Sequence, residues 1–346
     1  MNHQSYKNIL ICGGCGFMGS NFVRFLHNKY PSYKIFNLDL LTYAGNPENL
    51  DDLAGSERYE FIRGDIGDKL LVENLFAKHG FEIVINFAAE SHVDRSIVNA
   101  FQFIKTNIQG AYILLEAVRQ HKIPRFVYIS TDEIYGDIPK GIKTSEEYPL
   151  NPSNPYAASK ASADLIVQSY IRTHKLPAVI LRSSNNYGPY QYPEKLNSLV
   201  ITNVLDGKKI PIHGSGVHVR SWIHVQDFCA ALDMVMHRAA DGKIYNISGE
   251  EKTNLEIINL IAEALDKDPA QYVEFVNDRP GADLRYSPDH SRIAKDLGWE
   301  RRYHYTETLA NLVDWYIKNR GWWIKIKQKS DFLDHYDKQR RGIYDL

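Results

Sequence analysis

The sequence predicts an α/β protein with a doubly wound parallel sheet and a smaller C-terminal α/β region. Short β-branched apolar runs alternate with amphipathic stretches through the first half, which is typical of a parallel sheet covered by helices on both faces. Past residue 185 this alternation weakens, and Pro, Gly and Tyr become frequent, as in NNYGPYQYPEKL. We therefore expect two domains, 1–185 and 186–346, with some segments of the second returning to the first.

Six apolar runs have the length and composition of buried strands. They are NILICG (8–13), KIFNLD (34–39), YEFIRGD (59–65), EIVINFAA (82–89), RFVYIST (125–131) and AVILRSS (178–184). Three amphipathic stretches between them predict helices, namely FMGSNFVRFLHNKY (17–30), KLLVENLFAKHG (69–80) and NAFQFIKTNIQGAYILLEAVRQH (99–121).

The composition indicates a soluble globular protein, since 44% of the 346 residues are hydrophobic and 24% are charged. The formal charge is −1 and like charges form no block, so neither nucleic acid nor a membrane surface is expected as a partner. The apolar runs are shorter than the roughly 20 residues that cross a bilayer, and the polar start MNHQSYKN lacks a signal core. We expect a cytoplasmic protein.

The stretch ICGGCGFMGS at 11–20 has two interpretations. Cys12 and Cys15 have the Cys-x-x-Cys spacing of a redox dithiol or of half a zinc site. The remaining cysteine, Cys229, stands alone, and no His pair with ligand spacing follows Cys15. We therefore expect no metal, and a dithiol role is the weaker interpretation.

The glycines of the same stretch favour a nucleotide-binding turn. Gly13, Gly16 and Gly19 follow a predicted strand, and Phe17 begins a helical pattern, as the dinucleotide-binding fingerprint requires. A pyrophosphate would lie on the N–H groups at that helix N-terminus. Asp39, at the end of the second strand, has the position from which an acidic residue binds the adenosine ribose and favours NAD over NADP. The alternative for Asp39 is a residue that only starts a turn.

A tyrosine and a lysine stand four residues apart near a predicted helix start. Tyr156 and Lys160, in NPYAASKASADL, would project from one face of that helix. A neighbouring ammonium favours the phenolate, so we expect Lys160 to lower the pKa of Tyr156 and make it a base. Alone this pair is a frequent accident, but here it follows a dinucleotide turn and the string STDEIYG.

Together these motifs resemble the extended short-chain dehydrogenases/reductases. Within that family, nearly the whole chain resembles the nucleotide-sugar 4,6-dehydratases. The strings that carry this resemblance are STDEIYG, FAAESHVDRS, LTYAGN, SNNYGPYQYPEKL, KTNLEI, PGADLRY and DWYIKNRGWW. It implies a Rossmann-like NAD-binding domain with the catalytic residues at 1–185, and a nucleotide-sugar-binding domain at 186–346. The implied substrate is a nucleotide-activated glucose, with dTDP the expected nucleotide and UDP the alternative.

The resemblance also implies a reaction and its catalytic residues. Tyr156, with Lys160, takes the proton of the 4-hydroxyl while hydride passes from carbon 4 to NAD. Glu133 removes the proton on carbon 5, Asp132 protonates the leaving 6-hydroxyl, and hydride returns to carbon 6. Thr131 places the 4-hydroxyl. Since consecutive side chains of a strand point to opposite faces, we expect an irregular turn or helical start at Asp132 and Glu133.

Further site residues follow from the resemblance. Cofactor contacts are expected at Gly13, Gly16, Phe17, Met18, Gly19, Asp39, Leu40, Thr42, Asp65, Ile66, Ala88, Ala89, Ser91, Ser130, Tyr156 and Lys160. Substrate contacts are expected at His92, Thr131, Asn185, Asn186, Glu194, Lys195, Leu196, Arg220, Asn254 and Arg279, with Asp94 near the sugar or ordering its loop. For His92 a capping or core histidine is an equal alternative, and each arginine has a surface cation as its alternative.

Three positions depart from the family pattern. Leu40 stands where a basic residue is usual, Ala282 where His is usual and Ser221 where Asp is common. The first two changes remove possible phosphate or ribose contacts, which affects affinity or nucleotide choice and leaves the chemistry in place.

Two other functions remain open from the sequence. A nucleotide-sugar 4-epimerase or decarboxylase could use the same scaffold, but an epimerase needs no elimination acid and base, and Asp132 often is Ser in decarboxylases. A non-catalytic NAD(H)-sensing regulator would be free to lose Tyr156 and Lys160. The segments 99–121 and 154–174 match those through which the family pairs, so we expect a homodimer.

Overall fold

The chain folds around a seven-stranded parallel sheet with helices on both faces. The structure is a computed structural model that describes residues 6–341, so residues 1–5 and 342–346 of the two predicted domains lie outside the described range. The strands are β1 Asn8–Cys12, β2 Lys34–Asp39, β3 Tyr59–Arg63, β4 Ile83–Asn86, β5 Arg125–Thr131, β6 Ala178–Ser183, β7 Asn185–Tyr187, β8 Ile210–His213, β9 Val219–His224, β10 Ile244–Ile247, β11 Glu250–Thr253 and β12 Val273–Val276.

Helices follow most of these strands. They are α1 Phe17–Lys29, α2 Lys69–His79, α3 Val93–Val98, α4 Ala100–Phe103, α5 Ala111–Gln120, α6 Pro155–His174, α7 Leu196–Leu205, α8 Val225–Arg238, α9 Asn254–Ala264, α10 Ser291–Leu297, α11 Tyr305–Lys318, α12 Arg320–Lys327 and α13 Ser330–Arg341. Three 3₁₀ helices lie at Pro47–Leu53, Asp132–Tyr135 and Pro269–Gln271, and a π-helical turn lies at Ile104–Gly110. No helix within residues 6–341 is long and apolar enough to cross a membrane.

The strand order of the large sheet is β10-β6-β5-β4-β1-β2-β3, and all its pairings are parallel. The chain proceeds from β1 outward through β2 and β3, then returns to the other side of β1 with β4. This reversal places a crevice at the carboxyl ends of β1 and β4, which is where open α/β sheets bind their ligands. The predicted doubly wound fold is confirmed.

Both faces of the sheet are covered, which explains the continuous apolar strands. In β1, Ile9 and Ile11 pack on one face together with residues of α1 and α8, while Leu10 and Cys12 pack on the other with α2, α5 and α6. The six predicted strands correspond to β1–β6. The long helix expected at 99–121 is instead divided into α4, the π-helical turn and α5.

The second half of the chain forms smaller sheets and its own apolar core. Strands β11, β9 and β7 form one sheet, and β12 pairs with β8 in another. Residues of α7, α9, α11 and α12 pack around Trp222 and Trp323. The seventh strand of the large sheet, β10, also comes from this half and pairs with β6. The boundary after residue 185 remains a prediction.

Candidate active site

The glycine turn between β1 and α1 lies against the end of β4. Gly13 has a φ of +81°, and a Cβ atom there would lie 2.6 Å from the backbone nitrogen of Ala88. A Cβ on Gly19 would overlap the carbonyl oxygen of Gly13. Gly16 is the N-cap of α1 and offers no side-chain cap to the first turn of the helix. The backbone can therefore approach a ligand closely here, and the helix N-terminus faces it.

Asp39 lines the same crevice at the end of β2. Its two carboxylate oxygens accept hydrogen bonds from the backbone N–H groups of Cys15 and Leu41, both at 2.8 Å. Burial raises the pKa of Asp39, and these two hydrogen bonds oppose that rise. Asp39 thus orders the turn after β2 and also lines the cavity, and its contact with an adenosine ribose remains a prediction.

The crevice is a cavity of about 280 Å³. Every residue expected to contact the cofactor lines it, including Gly13, Asp39, Leu40, Asp65, Ala88 and Ser130. The buried Oγ atoms of Ser130 and Ser184 have no hydrogen-bond partner among residues 6–341, so polar groups of a ligand would satisfy them. The glycine turn, the acidic Asp39 and the two serine hydroxyls without a hydrogen-bond partner are all suited to binding a dinucleotide.

The cysteines of the turn do not form a reactive pair. Cys12 and Cys15 are buried free thiols, and burial, followed by Asp39, raises the pKa of both above the ordinary thiol range. Reactive thiols instead have lowered pKa values. Cys229 is likewise buried and free. The dithiol interpretation therefore receives no structural support.

The two adjacent acids lie where β5 ends and a 3₁₀ helix begins. Thr131 is the N-cap of this helix, and its hydroxyl accepts a hydrogen bond from the backbone N–H of Glu133 at 3.3 Å. The change from strand to helix lets Asp132 and Glu133 face the same cavity. Asp132 is buried and its Oδ2 atom has no partner among the described residues, whereas Glu133 is half-buried. The expected irregular turn is present.

Tyr156 and Lys160 face this cavity from the first turns of α6. Asn154 caps the helix by accepting a hydrogen bond from the backbone N–H of Ala157 at 2.9 Å. Thr131 hydrogen-bonds the Tyr156 side chain. The Lys160 ammonium donates to the carbonyl of Ile129 at 2.6 Å and lies 4.5 Å from the centre of the Tyr128 ring.

The pKa of Tyr156 differs from the sequence-based expectation. Burial, followed by the negative charge of Glu133, raises this pKa, and Lys160 does not lower it. Burial in turn lowers the pKa of Lys160 to about 7, although Asp164 opposes that change. The expected Lys160 effect is wrong for this structure because the phenol is desolvated and lies beside two carboxyls, while the ammonium is directed to β5.

The environments of the two acids differ in the way that acid and base roles require. Burial, then the charge of Glu133, raises the pKa of Asp132 well above its ordinary value. The pKa of Glu133 is also raised by burial, but Arg220 and Lys195 oppose the rise. Asp132 therefore keeps its proton more readily, and Glu133 ionises first.

A second cavity of about 170 Å³ adjoins the first. Glu133, Asn185, Glu194 and Lys195 line both cavities, so a ligand can extend from one into the other. The second cavity contains most of the expected substrate residues, namely His92, Asn185, Glu194, Lys195, Leu196, Arg220, Asn254 and Arg279. Thr131 and Asn186 line the first cavity instead, on the side of the catalytic residues.

The two arginines of the second cavity are held in place by the protein. Arg220 donates to the carbonyls of Val219 and Asp283 at 2.8 and 2.9 Å, and its guanidinium lies 4.2 Å from the centre of the Tyr286 ring. Arg279 forms an ion pair with the buried Asp94 at 2.5 Å. Neither is a free surface cation, and both can present donors to phosphate oxygens.

His92 is neither a capping nor an ordinary core residue. It occupies the N-cap position of α3, but its side chain makes no cap hydrogen bond. Its buried Nδ1 has no hydrogen-bond partner among the described residues and lies 3.8 Å from a carboxylate oxygen of Asp94. The His92 ring contacts His335 of α13 edge to face, with ring centres 4.5 Å apart. His92, Glu194 and His335 bring ligand-type atoms within 4.8 Å of one another. Burial, followed by the charge of Lys195, lowers the pKa of His92 well below its ordinary value, so its ring is neutral.

Sequence reasoning missed the contribution of α13. Gln339 lines the second cavity and donates to Asp94 at 3.0 Å, and Asp331 pairs with Arg95 at 3.0 Å. It also missed Asn37 of β2, whose side-chain oxygen accepts from the backbone N–H of Gly14 at 2.9 Å. The polar Asn37 in an otherwise apolar strand is a signal that could have identified it, whereas no local pattern marked α13.

Of the three departures from the family pattern, Leu40 lines the first cavity and Ala282 the second. Ser221 lies in neither cavity wall. Its Oγ accepts a hydrogen bond from the backbone N–H of Gly249 at 2.9 Å, so it joins β9 to the turn before β11.

Comparisons with known proteins match this geometry. Residues 10–312 match the family model described as GDP-mannose 4,6 dehydratase. A dTDP-glucose 4,6-dehydratase of Streptomyces niveus is 45% identical over 93% of this chain and 96% of its own length. The low-salt glycan biosynthesis protein Agl12 of Haloferax volcanii is 47% identical over 90% of this chain and 98% of its own.

A solved structure is similarly close. DesIV, a dTDP-glucose 4,6-dehydratase of Streptomyces venezuelae crystallised with NAD and TYD bound, superposes with a TM-score of 0.89. It is 44% identical, and the match covers 92% of this chain and all of DesIV. The chain thus belongs to the GDP-mannose 4,6 dehydratase family of extended short-chain dehydrogenases/reductases and, within it, to the dTDP-glucose 4,6-dehydratases.

Proposed function

We propose that the protein is an NAD-dependent hydro-lyase that converts dTDP-glucose to the 4-keto-6-deoxy sugar nucleotide. One observation carries the proposal: Asp132, Glu133, Tyr156 and Lys160 line one cavity with the glycine turn, and Glu133 also lines the adjoining cavity that holds the arginines. A hexose at the junction of the two cavities would meet the acid pair and the phenol together.

The glycine turn and Asp39 hold the cofactor in this proposal, with the adenosine at Asp39 and the pyrophosphate at the α1 N-terminus. NAD, when bound, supplies the hydride acceptor and donor of the cycle and a positive charge in the first cavity. Relatives that match most of this chain are dTDP-glucose 4,6-dehydratases, and DesIV was crystallised with NAD. These findings support NAD as the cofactor.

The chain's own residues then divide the proton transfers. The raised pKa of Tyr156 would be lowered by the positive charge of bound NAD, which favours the phenolate. As a phenolate, Tyr156 accepts the proton of the 4-hydroxyl, which Thr131 positions through its hydroxyl group. The ketone at carbon 4 acidifies the proton on carbon 5, which ionised Glu133 removes. Asp132, kept protonated by burial and by the Glu133 charge, donates its proton to the leaving 6-hydroxyl. Each of these side chains faces the same cavity.

The diphosphate of the substrate is assigned to the second cavity. Arg220 and Arg279 line it, and the guanidinium fork suits phosphate oxygens. Asn254, also in this wall, adds a neutral donor. The name of the relatives supports dTDP as the nucleotide, with UDP as the comparison in the test below.

The acid pair disfavours the alternatives. A 4-epimerase removes and returns hydride at carbon 4 alone, so it needs no acid and base for elimination, the roles that Asp132 and Glu133 can fill in this cavity. A regulator that only senses NAD(H) would not require Tyr156 and Lys160, yet both face the cofactor cavity.

Purified protein incubated with dTDP-glucose tests the proposal, with UDP-glucose in a parallel reaction. We expect a product with the alkali-induced absorbance of a 4-keto-6-deoxy sugar, and less of it from UDP-glucose. Glu133→Gln is the control, because it keeps the size of the side chain and removes the base. Recovery of a 4-epimer, or of unchanged substrate from NAD-loaded protein, would contradict dehydration.

We also propose a cytoplasmic homodimer. Apolar side chains stand exposed on the helices expected to pair, at Phe101, Ile104, Tyr112 and Leu165, and Phe101 is 72% exposed. Together these residues fit the seam of a four-helix bundle between two copies. Nucleotide sugars and NAD are cytoplasmic metabolites, which supports the location. Sedimentation of wild type against Phe101→Glu tests the pairing, with a monomeric variant as the expected result.

A further inference from the structure

A buried arginine connects the two catalytic elements of the site. Arg182 on β6 is 1% exposed. Its Nε and one terminal nitrogen donate to the carboxylate of Asp164 at 3.0 and 2.9 Å, which is a two-bond fork. Its other terminal nitrogen donates to the hydroxyl of Tyr135 at 2.8 Å and to the carbonyl of Glu146 at 2.9 Å.

The partners of Arg182 lie next to the catalytic groups along the chain. Asp164 is on α6, four residues after Lys160, and therefore one turn along the same face. Tyr135 is the last residue of the 3₁₀ helix that carries Asp132 and Glu133. None of these connecting side chains lines either cavity, so they act on the site only through the elements they join.

The hydroxyl of Tyr135 is held by two hydrogen bonds, one that it accepts and one that it donates. Its hydroxyl accepts from Arg182 and donates to the side-chain oxygen of Asn246 on β10 at 2.8 Å. The amide nitrogen of Asn246 in turn donates to the carbonyl of Thr144 at 2.9 Å. Tyr135 and Asn246 are both buried, so these bonds do not exchange with water.

We propose that Arg182 and Tyr135 are positioning residues that hold the 3₁₀ helix with Asp132 and Glu133 in place relative to α6 with Tyr156 and Lys160. The inference rests on the proposed function. Tyr156 acts at carbon 4 of the sugar, where the ketone forms, and Glu133 then removes the proton from carbon 5. Because both groups act on one hexose, the distance between the 3₁₀ helix and α6 decides the rate of elimination. A misplacement of roughly 1 Å costs such a step about a hundredfold.

The obvious variant does not separate position from stability. Arg182→Met would leave Asp164 as a buried and unpaired anion, which is strongly destabilising. Tyr135→Phe keeps the Arg182–Asp164 pair and the aromatic ring, and removes only the hydroxyl that links Arg182 to the 3₁₀ helix. Tyr6→Phe is the matched control, because Tyr6 is also 1% exposed and its hydroxyl donates a single hydrogen bond, to the carbonyl of Met236, away from both cavities.

Steady-state kinetics with dTDP-glucose, together with the absorbance of reduced cofactor bound to the enzyme, test the proposal. For Tyr135→Phe we expect kcat to fall about ten- to a hundredfold with little change in KM, since the substrate cavity is intact. The reduced fraction of bound cofactor should rise, because oxidation at carbon 4 continues while elimination slows. Tyr6→Phe should show wild-type values for both.

Glu133→Gln separates this inference from the function on which it rests. Reduced cofactor that accumulates in Glu133→Gln, while Tyr135→Phe behaves like Tyr6→Phe, overturns the positioning role alone. If neither Glu133→Gln nor Tyr135→Phe accumulates reduced cofactor, the proposed elimination and the positioning role both fail.

Discussion

The ammonium group of Lys160 donates a hydrogen bond to the backbone carbonyl of Ile129, at 2.6 Å, and not to the nearby Tyr156. This bond anchors the first turns of α6 to β5, the strand that ends at Thr131 and leads directly into Asp132 and Glu133. Lys160 therefore has a structural connection to the acid pair besides its charge. The phenol of Tyr156 is buried beside these carboxyls, and its pKa is raised accordingly.

Tyr156→Phe should abolish turnover with dTDP-glucose. The variant removes the phenol oxygen, the atom of residue 156 that can accept the 4-hydroxyl proton, and it leaves the glycine turn unchanged. NAD affinity, measured by titration calorimetry, should stay within about threefold of wild type, which is under 1 kcal/mol. Turnover that persists in Tyr156→Phe would remove Tyr156 from the mechanism.

Glu133→Gln and Asp132→Asn should both stop after oxidation at carbon 4. The amides keep the shapes of the acids, but they neither remove the carbon 5 proton nor donate one to the leaving hydroxyl. General acid–base groups contribute about a hundred- to ten-thousandfold, so kcat should fall by that order in each variant. Rapid-quench analysis should recover the 4-keto sugar with its 6-hydroxyl in place; an unreacted substrate would show that the acids act earlier.

The acid limb of the pH–rate profile should report Glu133. Its pKa is raised above the ordinary 4.5 by burial and lowered again by Arg220, and it must be ionised to act as a base. Activity should therefore be lost as pH falls through this raised pKa. Arg220→Met removes the opposing cation, so the acid limb should move to higher pH.

Asp132→Asn provides the control for that profile. Asp132 keeps its proton while Glu133 ionises, so it places no charge beside Glu133. The residual activity of the variant should therefore keep the wild-type acid limb. An acid limb that stays in place in Arg220→Met, or moves to lower pH, would contradict the assignment to Glu133.

Gly13→Ala should disrupt the nucleotide turn. A Cβ there would lie 2.6 Å from the Ala88 nitrogen, and the φ of +81° is itself unfavourable for alanine. Gly55 has a similar φ of +84° with nothing within 4 Å of a Cβ, so Gly55→Ala isolates the backbone strain. By thermal unfolding and NAD titration, Gly55→Ala should lose about 1–2 kcal/mol of stability and bind NAD normally.

Gly13→Ala should lose more stability than Gly55→Ala and bind NAD more than about tenfold more weakly, because the Ala88 backbone must move. Equal losses in the two variants would show that the turn tolerates the side chain.

Local sequence patterns predicted those features of the fold that are determined by residues close together in the chain. The six strands of the first half, the start of α1 at Phe17 and the irregular backbone at Asp132 follow from apolar periodicity, glycine spacing and the needs of adjacent side chains. These features arise within a few residues of the motifs that indicate them.

Long-range placement could not be predicted in this way. Gln339 of α13 donates to Asp94 from 245 residues away, and β10 pairs with β6 although β7, β8 and β9 lie between them in the chain. The Lys160 ammonium donates to the Ile129 carbonyl of a strand 31 residues earlier, a partner that only packing selects. Such contacts depend on the assembled tertiary structure, for which a single sequence carries no local signal.

The most direct measurement follows a deuterium label from carbon 4 of dTDP-glucose. If one cavity gathers Tyr156, Asp132 and Glu133 around a single hexose, the enzyme should deliver the label to carbon 6 of the 4-keto-6-deoxy product, as nuclear magnetic resonance would show. A label that stays on carbon 4 of a sugar still bearing its 6-hydroxyl would contradict the account.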